Sequence, residues 1–357
     1  MKSETTILGL MSGTSLDGLD LCLAAFGKDE RSCWTFDILA AQTFPYSLVW
    51  TQKLQQAHRL AAFDFVALHK EYGKFLGEQA AIFLRDKNVR VGYVASHGHT
   101  IFHQPQRGVT FQLGDGAALA AAVGIPVVSD FRSLDVALGG QGAPLVPIGD
   151  KLLFAAYDSC LNLGGFANIS FEQGGQRVAF DVCPCNTALN ALSQSLGEPY
   201  DRDGALAAQG KVSCLLLDEL NALDFYAQRG AKSLGREWVE DVFSKKIAAH
   251  SISVHDRLRT VCEHIAMQVA RCAQGGAMLV TGGGAFNAFL MQRIAEVSPC
   301  KLTIPDAQLV NFKEALIFAF LGALHASNEI NTLASATGAR RSSIGGSLVK
   351  AAQLSHC

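Results

Sequence analysis

The stretch ILGLMSGTSLDGLDLCLAAF, residues 7–26, decides the predicted fold. An apolar run ends at Met11, a small polar turn follows, and a second apolar run begins around two acids, Asp17 and Asp20. Strand, glycine turn, strand is the simplest interpretation. The hydroxyl and N–H groups of such a turn suit phosphate oxygens, and the carboxylates suit a hydrated Mg²⁺ ion. The same residue types also favour an ordinary hairpin tip, so both interpretations stay open.

Two common nucleotide-binding signatures are missing from this turn. It does not match GxGxxG, and it lacks the lysine of GxxxxGK[ST]. If the turn holds a nucleotide, the site is therefore neither a Rossmann site nor a P-loop.

Composition narrows the class of protein. The 357 residues suffice for two domains, and with 49% hydrophobic and 17% charged residues the chain can bury a large core. The net charge of −2, without a basic block, argues against nucleic-acid binding. The ten cysteines have no paired metal-type spacing and fit a reducing compartment. Neither a signal peptide nor a membrane span is expected, so we predict a cytoplasmic protein.

The first half of the chain predicts further strands and a long helix. A strand over 34–44 precedes a helix over 47–87, which carries apolar residues at helical spacing such as Phe63, Val66 and Ala67.

Polar side chains follow three later strands of the first half. Strands over 91–96, 110–113 and 126–129 are each followed by a polar side chain, and a helix over 117–123 separates the last two. The three side chains are His97, Asp115 and Asp130. Ligands bind at strand ends in open α/β sheets, which makes these residues candidates for a site.

The second half repeats the opening pattern. An apolar run over 159–163 meets the turn Gly164-Gly165, and a strand over 167–171 leaves it. A strand over 178–180 then leads into Asp181. Helices are predicted over 187–196, 213–228, 254–274, 287–297 and 312–326, and strands over 277–280 and 302–304.

The repeat predicts a duplicated sheet domain that closes on a nucleotide from both sides. The triple glycine Gly282, Gly283 and Gly284 would add a flat backbone platform, because no Cβ blocks close approach. The helix after it would offer free N–H groups at its start. A glycine-rich loop over 139–144 marks the change of domain. We predict one domain over 1–133 plus about 330–357, and a second over 134–329.

Six blocks of the sequence resemble the anhydro-N-acetylmuramic acid kinase family, in the family's order and across nearly the whole chain. The blocks are GLMSGTSLDGLD (9–20), SHGHT (96–100), FQLGDGAALA (111–120), VVSDFRSLDVALGGQGAPLVP (127–147), NLGGFANIS (162–170) and TGGGAFN (281–287). The resemblance implies an α/β fold of two related domains of the actin-like ATPase (ribonuclease H-like) type, with ATP in the interdomain cleft. It also implies Mg²⁺, a homodimer, and opening of the sugar's 1,6-anhydro ring by water with phosphorylation of O6.

The resemblance also implies roles for individual residues. Asp181, in the block FDVCPCN, matches the catalytic aspartate and would be the general base on the attacking water. Asp17 and Asp20 would lie near the metal. The residues implied to bind ATP are Gly13, Thr14, Ser15, Leu16, Asp17, Gly18, Leu19, Asp20, Gly164, Gly165, Gly282, Gly283, Gly284 and Asn287.

Four side chains are candidates for the sugar: His97, Asp115, Arg132 and Glu314. Three of them have an alternative. His97 could be a surface histidine, Arg132 could pair with Asp135 or hold the substrate carboxylate, and Glu314 could simply favour the first turn of its helix. A metal site at the histidines near residue 100 is disfavoured, because the cluster lacks a matching set of ligands.

One block departs from the family pattern. The usual Asp-Thr-Gly-Pro-Gly-Asn is Asp-Val-Cys-Pro-Cys-Asn here, and Asn190 stands where an acid would fall. Cysteine takes positive φ less easily than glycine, so the loop could differ in shape. Cys183 and Cys185 are expected to be buried small hydrophobes, and Asp181 could alternatively cap the next helix. The other hypotheses are a nucleotide-binding regulator without turnover and a kinase acting on a different anhydro-sugar.

Overall fold

The computed structural model describes residues 4–13, 16–228 and 232–351. The chain forms two compact units, unit 1 (Met1–Leu153 with Phe312–Cys357) and unit 2 (Phe154–Asn311). The sequence predicts different boundaries, 133/134 and 329/330. Residues 134–153 belong to unit 1 because a helix at 147–153 packs against residues 313–317, which also lie in unit 1. A Cβ on Gly149 would lie 2.7 Å from Ile317, and Asp150 forms an ion pair with Lys313 at 2.7 Å.

Strands and helices of very different lengths make up the described part of the chain. The strands are β1 (Thr5–Ser12), β2 (Gly18–Lys28), β3 (Trp34–Pro45), β4 (Tyr93–Gln104), β5 (Val109–Leu113), β6 (Val127–Ser129), β7 (Ser159–Leu163), β8 (Phe166–Gln173), β9 (Gln176–Pro184), β10 (Ala277–Thr281), β11 (Lys301–Thr303) and β12 (Ser347–Val349). The α-helices are α1 (Leu48–Gln56), α2 (Ala62–Leu84), α3 (Gly116–Val123), α4 (Ser133–Ala137), α5 (Pro147–Leu153), α6 (Asn186–Gln194), α7 (Ala205–Ala208), α8 (Cys214–Asn221), α9 (Arg236–Trp238), α10 (Lys245–Ala248), α11 (Val254–Cys272), α12 (Ala288–Val297), α13 (Ala307–Ala326) and α14 (Ala334–Thr337).

The two units contain the same strand arrangement. In unit 1, β1, β2 and β3 form an antiparallel meander, and β4 and β6 continue the sheet parallel to β1. In unit 2, β7, β8 and β9 form the meander, and β10 and β11 continue it parallel to β7. The predicted duplication is confirmed, and each unit has the α/β architecture that the sequence predicts.

The opening hairpin is buried along nearly its whole length. Residues 7–12 of β1 are buried, so its run is continuously apolar rather than alternating. Helix α13 packs directly against β1. A Cβ on Gly9 would collide with the Ala315 carbonyl and lie 2.8 Å from the Ala319 backbone nitrogen. Gly9 is therefore required by close packing.

Helix α13 has the length and hydropathy of a membrane span and is the one such helix in the described part of the chain. Its residues 315–321 are each at most 1% exposed. Burial in the protein core therefore accounts for its apolar composition. It begins at Ala307, before the predicted start at 312, and it carries Glu314 in its interior.

The apolar residues whose spacing predicts the long N-terminal helix do not form its buried face. Phe63 is 82% and Val66 56% exposed, whereas Leu68, Tyr72 and Leu76 of α2 are buried. Both sets have helical spacing, and only packing against the sheet distinguishes them. The predicted helix is also interrupted between α1 and α2, where Leu60 is extended with φ −70° and ψ 149°.

Two other elements differ in length. Strand β4 continues past His97 to Gln104 because its second half pairs with β5, with His99 opposite Leu113 and an irregularity near Thr100. The predicted helix over 213–228 is the shorter α8, followed by a 3₁₀ turn at Asp224–Ala227.

Candidate functional site

The loop between β1 and β2 contains the first set of predicted nucleotide ligands. Leu16 has φ 61°, which is uncommon outside glycine and fixes a tight turn. A Cβ on Gly18 would lie 2.7 Å from the Thr43 methyl group and 2.8 Å from the Phe44 carbonyl, so β2 starts close against β3. Asp17 is exposed and Asp20 half-buried. Gly13 and Leu19 lie at the two ends of the turn, whereas Thr14 and Ser15 lie outside the described residues.

Asp20 is the most perturbed carboxylate of this loop. Burial raises its pKa, and the negative charge of Asp17 adds to that effect. Thr43 opposes it by donating a hydrogen bond of 2.5 Å to the Asp20 carboxylate. Two mutually repelling carboxylates favour a cation between or beside them.

A buried chain of hydroxyl groups supports the base of the loop. The Tyr46 hydroxyl donates to Ser12 Oγ at 2.7 Å and lies 2.6 Å from the Tyr72 hydroxyl. Ser12 Oγ is also 2.9 Å from His99 Nδ1. Burial lowers the pKa of His99 to about 4, which keeps its ring neutral at physiological pH. Sequence reasoning missed Tyr46 and Tyr72, because nothing local links residues so far apart in the chain.

Arg132 lies between a histidine and a glycine-rich loop. Its Nε and Nη2 groups lie 3.0 Å and 2.8 Å from His97 Nε2, and its Nη1 group donates to the Gly142 carbonyl at 2.6 Å. Asp135 instead accepts from the Gly142 amide at 2.8 Å and the Thr337 hydroxyl at 2.7 Å. Asp135 therefore fixes the glycine-rich loop whose Gly142 carbonyl accepts a hydrogen bond from Arg132.

Glu314 on α13 interacts electrostatically with Arg132. Desolvation raises its pKa, Arg132 and Lys313 act in the opposite direction, and Asp20 raises it further. Its side chain nonetheless keeps contact with solvent. Unit 1 thus brings Asp20, Glu314 and Arg132 close enough to interact electrostatically.

Asp115 has a structural role in this arrangement. It caps α3 by accepting from the Ala118 amide at 2.7 Å, and it forms an ion pair with Lys70 at 2.7 Å. These contacts occupy both oxygens of its carboxylate. Its predicted contact with the sugar stays a prediction.

The turn Gly164-Gly165 of unit 2 packs against the start of α6. The Gly165 carbonyl accepts from the amides of Cys185 and Thr187, and the Gly164 carbonyl accepts from the Asn186 amide at 3.1 Å. Two side chains add further hydrogen bonds. The Thr187 hydroxyl donates to the Gly165 carbonyl, and the Asn186 side-chain amide donates to the Leu163 carbonyl. The carbonyls of this turn are therefore satisfied by the start of α6.

The triple glycine forms the predicted platform beside this turn. Gly282 has φ 82° and ψ 160°, and a Cβ on it would lie 2.5 Å from the Asn162 side-chain oxygen and 2.8 Å from Leu163. A Cβ on Gly284 would also meet Leu163, at 2.8 Å. Gly283 and Gly284 open a 3₁₀ turn, where N–H groups point outward. Asn287 caps α12 through the Leu290 amide at 2.9 Å.

A cavity of about 550 Å³ lies against this platform, entirely within unit 2. One wall is the face of α6 with Asn186, Leu189 and Asn190. The other lining residues are Tyr200, Asp201, Arg202, Asp203, Gly283, Gly284, Phe286 and Asn287. Asn190, where the family pattern has an acid, is therefore a wall of this cavity. The segment at 200–203 was missed because it has no periodicity and no motif.

Asp181 lies inside β9 and not at a helix start. Helix α6 begins at Asn186 with Cys185 as its cap, so the capping alternative for Asp181 is wrong. The Asp181 carboxylate accepts from the Leu234 amide at 2.8 Å, and the Asp181 amide donates to the Lys232 carbonyl. Burial raises the pKa of Asp181, and the Leu234 hydrogen bond partly opposes that rise. A half-buried carboxylate of raised basicity suits a general base.

The two cysteines of the FDVCPCN block are buried core residues, as predicted. Both are 0% exposed, and burial raises the pKa of the Cys185 thiol to about 12. Cys185 has φ −125°, so its backbone does not need the left-handed conformation that glycine favours. The departure from the family pattern is accommodated by the core of unit 2.

Comparisons with known proteins agree with this arrangement of motifs. A family model described as "Anhydro-N-acetylmuramic acid kinase" matches residues 5–351. A kinase of that name from Gloeobacter violaceus is 34% identical over 94% of this chain and 96% of its own. One from Vibrio cholerae is 35% identical over 96% of this chain and 97% of its own. A solved structure, component A of (R)-2-hydroxyglutaryl-CoA dehydratase from Acidaminococcus fermentans, aligns at 11% identity with a TM-score of 0.44, covering 88% of this chain and 96% of that chain. The chain therefore belongs to the anhydro-N-acetylmuramic acid kinase family.

Proposed function

We propose that the chain uses ATP to convert anhydro-N-acetylmuramic acid to N-acetylmuramic acid 6-phosphate, a step of peptidoglycan recycling. Water adds to C1, the bond between C1 and O6 breaks, and O6 takes the γ-phosphoryl group. The observation that supports this most is family membership over nearly the whole chain, with Asp181 in the position of the catalytic carboxylate.

Asp181 is the general base in this proposal. Water is a poor nucleophile, and a positioned base contributes roughly 10²–10⁴-fold to the rate. The Leu234 amide at 2.8 Å fixes one carboxylate oxygen, and the other can accept the proton from water. The raised pKa of Asp181 makes it a better proton acceptor.

The backbone amides of each glycine turn and of the platform are suited to bind phosphate oxygens of ATP. The proposed ligands are the loop around Gly13 and Gly18, the turn Gly164-Gly165, and Gly283 with Gly284. The cavity beside the platform, with Tyr200 and Phe286 among its walls, would take the nucleoside, because aromatic and apolar walls suit a base.

The loop carboxylates fit Mg²⁺ better than a metal held by protein ligands alone. Within the described residues, no group of three or more His, Cys, Asp or Glu side chains could hold an ion. Mg²⁺ usually takes one or two carboxylates plus phosphate oxygens and waters, which Asp17 and Asp20 can supply. The ion would neutralise charge on the phosphates. Thr43 fixes the Asp20 carboxylate for this role.

Replacing Thr43 tests the role of Asp20. Thr43→Val removes the hydrogen bond that lowers the pKa of Asp20 and orients its carboxylate. We expect the Mg²⁺ concentration for half-maximal activity to rise about fivefold, as the loss of one bond of roughly 1 kcal/mol allows. Titration of activity with Mg²⁺ measures this. Thr35→Val, near the other end of the same strand, is the control, and an equal shift in both variants would contradict the assignment.

Arg132 and Glu314 would contact the sugar. The planar guanidinium of Arg132 suits the lactyl carboxylate of the substrate, and Glu314 can accept a hydrogen bond from a hydroxyl. The resemblance also supports a homodimer and a cytoplasmic location, and both belong to the proposal.

A nucleotide-binding regulator without turnover is the second candidate, because the FDVCPCN block departs from the family pattern. Incubating the protein with ATP, Mg²⁺ and the anhydro-sugar, and following ADP and sugar phosphate together, separates the two. We expect ADP to form only when the sugar is present. Tight ATP binding without turnover on any anhydro-sugar would favour the regulator.

A further inference from the structure

His97 is a buried histidine whose two ring nitrogens are both engaged. Nδ1 lies 2.9 Å from the Gly98 carbonyl, which can only accept, so Nδ1 carries the proton. Nε2 then has a lone pair, and it faces two N–H groups of Arg132 at 3.0 Å and 2.8 Å. The ring is 5% exposed and packs on Phe318 with centroids 4.6 Å apart. His97 therefore contacts Arg132 and is shielded from solvent.

The contacts of Arg132 leave one edge of its guanidinium for a ligand. Arginine has five N–H donors. His97 takes one from Nε and one from Nη2, and the Gly142 carbonyl takes one from Nη1. One donor on each terminal nitrogen remains among the described contacts. Two parallel donors of this kind match the two oxygens of a carboxylate.

The choice of histidine as the partner has an electrostatic consequence. A carboxylate partner would orient Arg132 equally well, but its negative charge would compete with an anionic ligand. A neutral imidazole orients the guanidinium through its lone pair and adds no negative charge to those of Glu314 and Asp135, which already act on Arg132. Desolvation and the Arg132 charge both lower the pKa of His97, which keeps it neutral.

We propose that His97 is a positioning residue, a neutral acceptor that aims Arg132 at the carboxylate of the sugar substrate without touching the substrate itself. This inference rests on the proposed function, because the carboxylate is that of anhydro-N-acetylmuramic acid. It replaces the direct sugar contact that the sequence predicts for His97.

The test compares substitutions of His97 by steady-state kinetics. His97→Phe keeps a ring of similar size on Phe318 but removes the acceptor. We expect KM for the anhydro-sugar to rise about tenfold or more, which corresponds to roughly 1.4 kcal/mol, while KM for ATP stays unchanged. His97→Gln, whose amide oxygen can reach the position of Nε2, restores most of the affinity, and His97→Asn, one methylene shorter, does not.

Controls separate the possible failures. His58→Phe removes an exposed histidine that also accepts from an arginine, Arg59 at 3.2 Å, and should leave both KM values unchanged. If His97→Phe does not fold, the comparison of Gln with Asn decides. An unchanged sugar KM in the Phe and Asn variants, or equal rises in the sugar and ATP values, would overturn the inference. An inactive unmodified enzyme would instead contradict the proposed function.

Discussion

Asp181→Asn should lower kcat by roughly 10²–10⁴-fold, the contribution expected of a positioned general base. In the unmodified protein the Leu234 amide donates to the Asp181 carboxylate at 2.8 Å. Asparagine has nearly the same shape as aspartate, and its side-chain oxygen can still accept this hydrogen bond. The variant should therefore fold, but its amide cannot take a proton from water. ATP binding should be retained, because the proposed phosphate ligands are backbone amides elsewhere in the chain.

The measurement is kcat from ADP release, together with ATP affinity by calorimetry. Asp158→Asn is a matched control, since that exposed carboxylate also accepts from a backbone amide, that of Ala277 at 2.7 Å. We expect the control to keep full activity. Loss of ATP binding in Asp181→Asn, or retention of turnover, would contradict the role assigned to Asp181.

Lys313→Met should lower the free energy of unfolding by about 3–5 kcal/mol, because it leaves a buried carboxylate without its cation. The Lys313 and Asp150 side chains are 8% and 5% exposed, and their charged atoms are 2.7 Å apart. The pair joins α5 to α13 beside Glu314. The change in stability is measured by urea unfolding.

Two comparisons make this prediction specific to the buried pair. Lys53→Met breaks an ion pair whose side chains are 38% and 51% exposed, and it should cost no more than about 1 kcal/mol. Replacing both Lys313 by Met and Asp150 by Leu should recover most of the lost stability, because neither charge remains buried. A small effect of Lys313→Met alone would mean that the pair is solvated in solution.

The sequence predicts the duplicated sheets because both meanders begin with an apolar run, a glycine turn and a second apolar run. That signal is local, and so is the strand before the triple glycine. The buried face of α2, by contrast, has no local sequence signal. Phe63 and Leu68 are both apolar residues of one helix, and only the packing of α2 determines which is buried.

In the site, too, local sequence predicts some features and tertiary packing determines others. Asp181 and Arg132 are candidates from their sequence blocks and Glu314 from the family resemblance, and unit 1 places Arg132, Glu314 and Asp20 in one electrostatic environment. The contact of Thr43 with Asp20 depends on the pairing of β3 with β2. The burial of His97 behind Arg132 depends on strand β4 continuing beyond the predicted end, so a motif alone could suggest only a direct contact.

The most direct test of the proposed reaction is to run it in water enriched in ¹⁸O and analyse the products by mass spectrometry. We expect sugar 6-phosphate and ADP in equal amounts, heavy oxygen in the sugar, and none in the transferred phosphoryl group. Water then attacks carbon, and O6 of the substrate attacks phosphorus. Heavy oxygen in inorganic phosphate, with ADP formed without the sugar, would contradict this reaction and show an ATPase.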